Sequence, residues 1–269
     1  MTGLAISLAL QLAAKSPSPL PFHIPFVRPP GVNLRQELRA IQWPRNEKLK
    51  VIADAYQPKT IALTFDDGPH GAKTMELLAL LRKLDVKATF FVVGKMVVRN
   101  PWIVREEIAQ GHEVGNHTFN HPNLDLLSEA QIAREYRACS DAIQWATGIR
   151  PKFCRPPGGR FDTDVLRAAT DEGMWTVLWT DDPGDFAKPN PKVLIERIDT
   201  QMRNGGILLL HDGIPQTLQV LPGLVEGLRK RGYRFVTCSQ LLDQRNRRPT
   251  IYAKHAPATK PGPLMRRKA

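Results

Sequence analysis

The sequence predicts an α/β fold: an irregular, partly open (β/α) barrel of about seven parallel strands on a TIM-barrel-like plan. Strand-like stretches recur at 60–66, 88–93, 112–116, 152–155, 175–180, 206–211 and 233–238, with helix-like stretches in most of the gaps. That alternation builds a parallel sheet flanked by helices. Paired carboxylates and histidines fall at or just beyond the C-terminal ends of these stretches, the rim on which such barrels assemble their sites. Seven strands in place of eight leave the ring irregular, and no solenoid-type repeat competes with this reading.

The first stretch, Ile61-Ala62-Leu63-Thr64-Phe65, is a short apolar run closed by Asp66-Asp67-Gly68-Pro69. It reads as a buried strand whose end turns outward. Neighbouring residues on an extended chain point to opposite sides, so Asp66 and Asp67 are expected to do different jobs. Further along, Asn116-His117-Thr118-Phe119-Asn120-His121 places two histidines at i and i+4. On a helical turn that spacing sets both rings on one face. Two imidazoles and one carboxylate leave a bound ion an open position, the pattern of catalytic rather than structural zinc. Asp67, His117 and His121 are therefore read as metal ligands and Asp66 as a free base.

Either motif alone is weak, because HxxxH pairs are common on solvated helices and Asp-Asp-Gly-Pro is often only a turn. Three later strand ends strengthen the joint reading. Phe153-Cys154-Arg155-Pro156-Pro157-Gly158-Gly159-Arg160 supplies a rigid, backbone-exposing loop. Trp179-Thr180-Asp181-Asp182-Pro183-Gly184-Asp185-Phe186 clusters carboxylates, and Ile207-Leu208-Leu209-Leu210-His211-Asp212-Gly213 delivers a histidine at the tip of a buried run.

Taken in order, the five segments resemble the polysaccharide deacetylase family, the NodB-homology domains of carbohydrate esterase family four, over roughly Gln57 to Leu242. The resemblance implies that Asp66 is the general base and that Asp67, His117 and His121 hold the metal. It implies that Arg155, heading Arg-Pro-Pro-Gly-Gly where the family has Arg-Pro-Pro-Tyr-Gly, orients the base. Gly158 stands at the tyrosine position, whose backbone N–H serves the oxyanion in the family. Asp185-Phe186 stands for the family's Asp-Trp pair, so the groove loses an indole as well as a tyrosine wall. Leu209 and His211 match the closing Leu-x-His, implying a pocket for the acetyl methyl and a general acid. Asp185, or else Asp182, would keep His211 charged, because a nearby carboxylate raises a histidine pKa. The implied activity removes N-acetyl groups from an N-acetylglucosamine-containing envelope polysaccharide or oligosaccharide and releases acetate. It needs one divalent ion, zinc first, with cobalt, nickel, iron or manganese as alternatives.

The remaining polar residues read more blandly. His112 is expected to stabilise a strand entrance, His70 to lie in a solvated loop, and Asp212 to cap the following helix. Cys139 falls in a helical segment and Cys154 and Cys238 in strands; an odd, widely spaced set gives no disulfide framework or zinc-knuckle spacing.

A chain of 269 residues, 42% hydrophobic, can bury one substantial core. Its net charge of +12 is carried by the flanks: residues 58–242 hold 23 Lys+Arg against 22 Asp+Glu, whereas 1–57 carry a net +4 and 243–269 a net +7. A neutral central domain argues against nucleic acid as a partner. The expected division is a flank at 1–57, a deacetylase-like domain at 58–242 and a basic, disordered tail at 243–269. That tail suits weak contact with an anionic envelope polymer or a membrane surface. Gly3 to Ala14 is apolar, lacks a positive leading region and is too short to span a bilayer as a helix. It reads as an atypical export signal before a Pro-rich linker, which fits an exported protein acting on glycans. Two rival functions are an amidohydrolase of small amides, disfavoured by the intact histidine pair, and a decayed, non-catalytic glycan binder, disfavoured by the presence of Asp66 and His211.

Overall fold

The computed structural model describes residues 51–52 and 59–242. At its centre is β2, Thr60–Asp66, with all seven residues buried, as befits a strand covered on both faces. One edge of β2 pairs with β7, Gly206–His211, from Ile61↔Gly206 to Asp66↔His211. The other edge is shared by β8, Arg234–Val236, beside Thr60–Ala62, and β3, Thr89–Val92, beside Thr64–Asp66. From β3 the sheet runs through β4 (Glu113–Asn116), β5 (Phe153–Cys154) and β6 (Trp175–Val177) to β1 (Val51–Ile52), all pairs parallel. A single bridge, Asp181↔Leu208, links the segment beyond β6 to β7. The eight-stranded sheet thus curls into an irregular ring that stays partly open.

Seven strands coincide with the seven stretches read from the sequence. The eighth, β1, lies within the flank assigned to residues 1–57, so the sheet reaches upstream of residue 58. Two residues are too few to show a period. The apolar run and Pro-rich stretch near the N-terminus, and the basic tail at 243–269, lie outside the described residues. Among the described residues, no helix is long and apolar enough to cross a membrane.

The helices are α1 (Ala72–Lys83), α2 (Gly94–Arg99), α3 (Pro101–Ala109), α4 (Glu129–Thr147), α5 (Thr163–Asp171), α6 (Pro191–Gln201), α7 (Pro215–Lys230) and α8 (Cys238–Leu242). The longest, α4, starts in a Ser128/Gln131 capping box and stops at Gly148, whose φ of 76° suits glycine. Cys238 opens α8 rather than ending a strand, and all three cysteines are free and buried.

Strand alternation sorts the core and places the site. Ile61, Leu63 and Phe65 pack outward against Leu77, Leu78 and Leu81 of α1 and Leu221, Leu224 and Val225 of α7. Ala62 turns inward to a second cluster with Phe91, Trp179, Ile207, Leu209 and Leu241. Asp66 stands on that same inward face at the end of the strand, so the period that buries the core also aims the carboxylate into the ring.

The bridge across the gap carries a polar liability. Asp181 is fully buried, and its Oδ1 has no hydrogen-bond partner. Burial pushes its carboxyl up to about 7 against the opposing pull of Thr180 and Arg203. The folded state therefore favours the protonated acid, and its stability falls as pH rises from the unfolded carboxyl range towards 7. Asp181→Asn should raise the melting temperature more at pH 8 than at pH 5, by roughly 3 °C for a gain of ~1 kcal/mol. Equal gains at both pH values would show that Asp181 is not the titrating group.

Candidate active site

The site forms where β2, β4, β5 and β7 end. Asp66 is the last residue of β2, and Asp67 follows it with φ 78°. That left-handed turn, uncommon for a residue with a side chain, swings the second carboxylate back over the ring. Asp67 Oδ1 then lies 3.4 Å from His117 Nε2 and 3.1 Å from His121 Nε2. Burial opposes charge on Asp67, yet the two imidazoles hold its carboxyl well below the usual range.

The two histidines do not share a helical turn, contrary to the expectation from their i, i+4 spacing. They lie in a loop after β4 in which Thr118 has φ 65° and His121 φ 62°. The loop is held by polar side chains: Asn116 Oδ1 accepts from the Thr118 N–H at 2.8 Å, and Thr118 Oγ1 accepts from the His121 N–H at 3.0 Å. Glu135 of α4 accepts from the N–H groups of Phe119 and Asn120 at 3.0 and 2.7 Å. The rings meet edge to face, 5.0 Å between centroids. Asn–Thr competition with helical hydrogen bonding is the physical reason the turn is not a helix.

These residues fit a divalent ion. One oxygen of Asp67 and one nitrogen of each histidine lie within 4.8 Å of one another. A tetrahedral ion with ligands at ~2.1 Å sets them about 3.4 Å apart, close to the two separations found. Asp67 Oδ1 is buried with no hydrogen-bond partner, as a ligand atom should be. His117 Nδ1 contacts the Arg155 carbonyl at 2.8 Å, which fixes the tautomer so that Nε2 faces the cluster.

Asp66 stands beside this trio without joining it. Its Oδ2 is 3.7 Å from His117 Nε2, and its Oδ1 accepts from Arg155 Nη1 at 2.8 Å. Arg155 is fully buried. Its guanidinium also donates to Thr64 Oγ1 and to the carbonyls of Val177 and Leu178, and it stacks over Phe91 with 4.2 Å to the ring centroid. A guanidinium so fully engaged cannot swing away, so the free oxygen of Asp66 stays aimed at the trio.

Across the ring, His211 Nδ1 is 2.7 Å from Asp185 Oδ1. The other oxygen of Asp185 accepts from the His211 N–H at 2.7 Å and from Thr217 Oγ1 at 2.6 Å. Burial disfavours the imidazolium, but Asp185, with Asp67 and Asp66 behind it, pushes the His211 pKa up to about 10. Asp182 is not the partner. It accepts from the Gly184 N–H at 2.9 Å, and burial pushes its carboxyl up to about 6.

Phe186, expected at a groove wall, meets the His211 ring edge to face at 5.6 Å. Phe186→Ala removes a contact of ~1 kcal/mol and should lower kcat about five-fold with a smaller change in KM. A raised KM at constant kcat would make Phe186 a sugar-facing wall only. Leu209 is buried two residues before His211 on the same face of β7. Gly158 has φ 58°, a conformation that costs a residue with a side chain about 1–2 kcal/mol, so glycine relieves strain there while giving up a wall.

Among the other sequence candidates, His112 is buried away from the cluster. Its Nδ1 faces the Ala88 N–H at 3.2 Å, and burial pulls its pKa down to about 4. Asp212 does not cap a helix: α7 begins after Ile214 without a side-chain cap. Instead Asp212 and His70 face each other at 3.8 Å. The sequence reading missed the groups that hold the site: Thr64, Asn116, Thr118 and Thr217. Their signal was adjacency, since Thr64, Asn116 and Thr118 flank the acid and histidine motifs.

Residues 53–177 match the family model described as polysaccharide deacetylase. The chain is 37% identical over 220 residues to a peptidoglycan-N-acetylglucosamine deacetylase of Bacillus cereus, an alignment covering 78% of this chain and 97% of that one. It is 35% identical over 203 residues to a chitooligosaccharide deacetylase of a Bradyrhizobium species, covering 70% and 93%. Among solved structures, a CE4 family pseudoenzyme from Bacillus anthracis superimposes with a TM-score of 0.70 at 31% identity, covering 74% of this chain and 70% of that one.

Proposed function

Because the chain belongs to the polysaccharide deacetylase family, we propose that it hydrolyses N-acetyl groups on an N-acetylglucosamine-containing envelope glycan and releases acetate. In this reading Asp67, His117 and His121 hold one divalent ion, Asp66 is the base and His211 the acid. The observation that carries it is the Asp66 carboxylate, gripped on one oxygen by Arg155 while the other faces the ligand trio at 3.7 Å.

When bound, the ion supplies Lewis acidity towards a carbonyl and a water molecule at neutral pH. The free Oδ2 of Asp66 takes the proton from the attacking water, while Arg155, bound to Oδ1, keeps the carboxylate in place. As the acetamide carbon becomes tetrahedral, the Gly158 N–H is assigned in this reading to the oxygen that gains charge, on the resemblance to the family's motif. His211, held as imidazolium by Asp185, protonates the departing nitrogen, since an amide anion is too poor a leaving group. Leu209 offers an apolar contact to the acetyl methyl. Zinc is the proposed ion, because one carboxylate oxygen and two imidazole nitrogens suit it.

The Bacillus cereus and Bradyrhizobium relatives are named for peptidoglycan N-acetylglucosamine and for chitooligosaccharides. Both names favour N-acetylglucosamine units over acetylxylan, and the first favours an exported enzyme at the cell wall. A pseudoenzyme among the structural neighbours makes the chain's own residues decisive, and the presence of Asp66, the Asp67–His117–His121 group and the Asp185–His211 pair supports the catalytic reading. Acetate release from peptidoglycan, chitin oligomers, poly-N-acetylglucosamine and acetylxylan tests the proposal. Release from an N-acetylglucosamine polymer is expected; no release from any of the four would overturn it.

A further inference from the structure

Asp67 has φ 78°, and a strained residue of this kind persists only where its surroundings over-determine it. Directly beneath the turn that follows it lies Asp212, whose side chain is fully buried. A Cβ on Gly68 would fall 2.2 Å from Asp212 Oδ2, so only glycine lets the carboxylate sit there. Asp212 Oδ2 accepts from Thr74 Oγ1 at 2.5 Å, and Thr74 Oγ1 accepts in turn from the His70 N–H at 2.6 Å. The Asp212 N–H donates to the Asp66 carbonyl at 2.9 Å. Lys73 Nζ donates to the Gly213 carbonyl at 3.2 Å. One residue after His211, Asp212 therefore contacts the Asp66–His70 segment through both main chain and side chain.

The cost of this placement is visible. Asp212 Oδ1 is buried without a hydrogen-bond partner, as are both carboxyl oxygens of the fully buried Glu107 on α3. Burial, and then Asp212, push Glu107 well above the ordinary carboxyl range. Buried polar atoms left unsatisfied call for a compensating role.

We propose that Asp212 is a positioning residue that clamps the Gly68–Thr74 segment onto the end of β7, holding Asp67 in its left-handed turn and fixing the two carboxylates relative to His211. The proposal rests on reading Asp67, His117 and His121 as the ion's ligands. Its test is zinc affinity of the folded, metal-stripped protein, read by competition with a chromogenic chelator.

Asp212→Ala should weaken zinc binding about 10–100-fold, the usual effect of removing a group that orients a ligand. Thr74→Val should weaken it by a similar factor, and the double variant no further than the worse single, because both act through one linkage. Unchanged affinity in Asp212→Ala, or losses that multiply in the double variant, would overturn the clamp. Should Asp212→Ala fail to fold, Thr74→Val decides alone, since it removes the hydroxyl that joins Asp212 to the His70 N–H: a loss of affinity supports the clamp and no change refutes it. None of these readouts needs turnover. A wild-type protein that binds zinc but releases no acetate would sink the proposed function and leave the clamp standing. Active wild type beside an Asp212→Ala protein with normal zinc affinity would sink the clamp alone.

Discussion

Asp66→Asn should retain the divalent-metal content of the wild type and lose turnover by about 10²–10⁴-fold, the contribution of one positioned base. Asp67 Oδ1 approaches both histidine nitrogens at 3.4 and 3.1 Å, whereas Asp66 Oδ2 remains 3.7 Å from the nearer one and its other oxygen is taken by Arg155. Asparagine keeps the shape and an acceptor for Arg155 but cannot take a proton. It also leaves the fully buried guanidinium without its counter-charge, so the variant should be less stable as well. Metal content must accordingly be measured on folded protein, by elemental analysis of the soluble, non-aggregated fraction. His117→Ala and His121→Ala should lose metal and activity together. Loss of metal from folded Asp66→Asn would exchange the roles of the two carboxylates.

That Asp66 and Asp67 meet different partners was legible because a strand's alternation is local: it follows from the apolar run ending at Phe65. How both acids nevertheless reach one site was not, because it depends on a positive φ at Asp67 that an Asp-Asp-Gly-Pro sequence does not advertise. The histidine pair shows the same limit from the other side. Its spacing fits a helix, but Asn116 and Thr118 bond to the intervening backbone and favour a tight loop, so the two rings meet beside Asp67 through a different local geometry from the one expected. Long buried strands such as Thr60–Asp66 and Gly206–His211 announce themselves through continuous apolar runs. The two residues of β1 have no period and exist only through their pairing with β6. Asp212 was unreadable for a further reason. A lone acid before a helix usually caps it, and only the fold brings Gly68 and Thr74, distant in sequence, against this one.

Asp185→Asn should move the alkaline limb of the kcat profile to lower pH and reduce kcat at pH 8 roughly 30-fold, as expected when a general acid with a pKa near 6.5 has mostly lost its proton. His211 is charged at neutral pH because Asp185 outweighs the penalty of burial and raises its pKa to about 10. Asparagine can still accept from Nδ1 but carries no charge, so the imidazolium is lost nearer its ordinary value of about 6.5. The deficit should therefore be smaller at pH 6, where the variant's histidine is again largely protonated. KM should change little, since Asp185 is fully buried and acts through His211 rather than on substrate. The same pair stabilises the fold: a histidine with raised pKa contributes fully below its unfolded value near 6.5, and that contribution fades as pH climbs through about 10. Asparagine also cannot match the carboxylate that accepts from both the His211 N–H and Thr217 Oγ1, so some stability is lost at every pH. Full kcat and KM profiles from pH 5 to 10, with metal content checked at each end, separate these effects. A kcat that falls by one factor across the whole range, with an unmoved alkaline limb, would mean that Asp185 only orients His211 and that another group carries the proton.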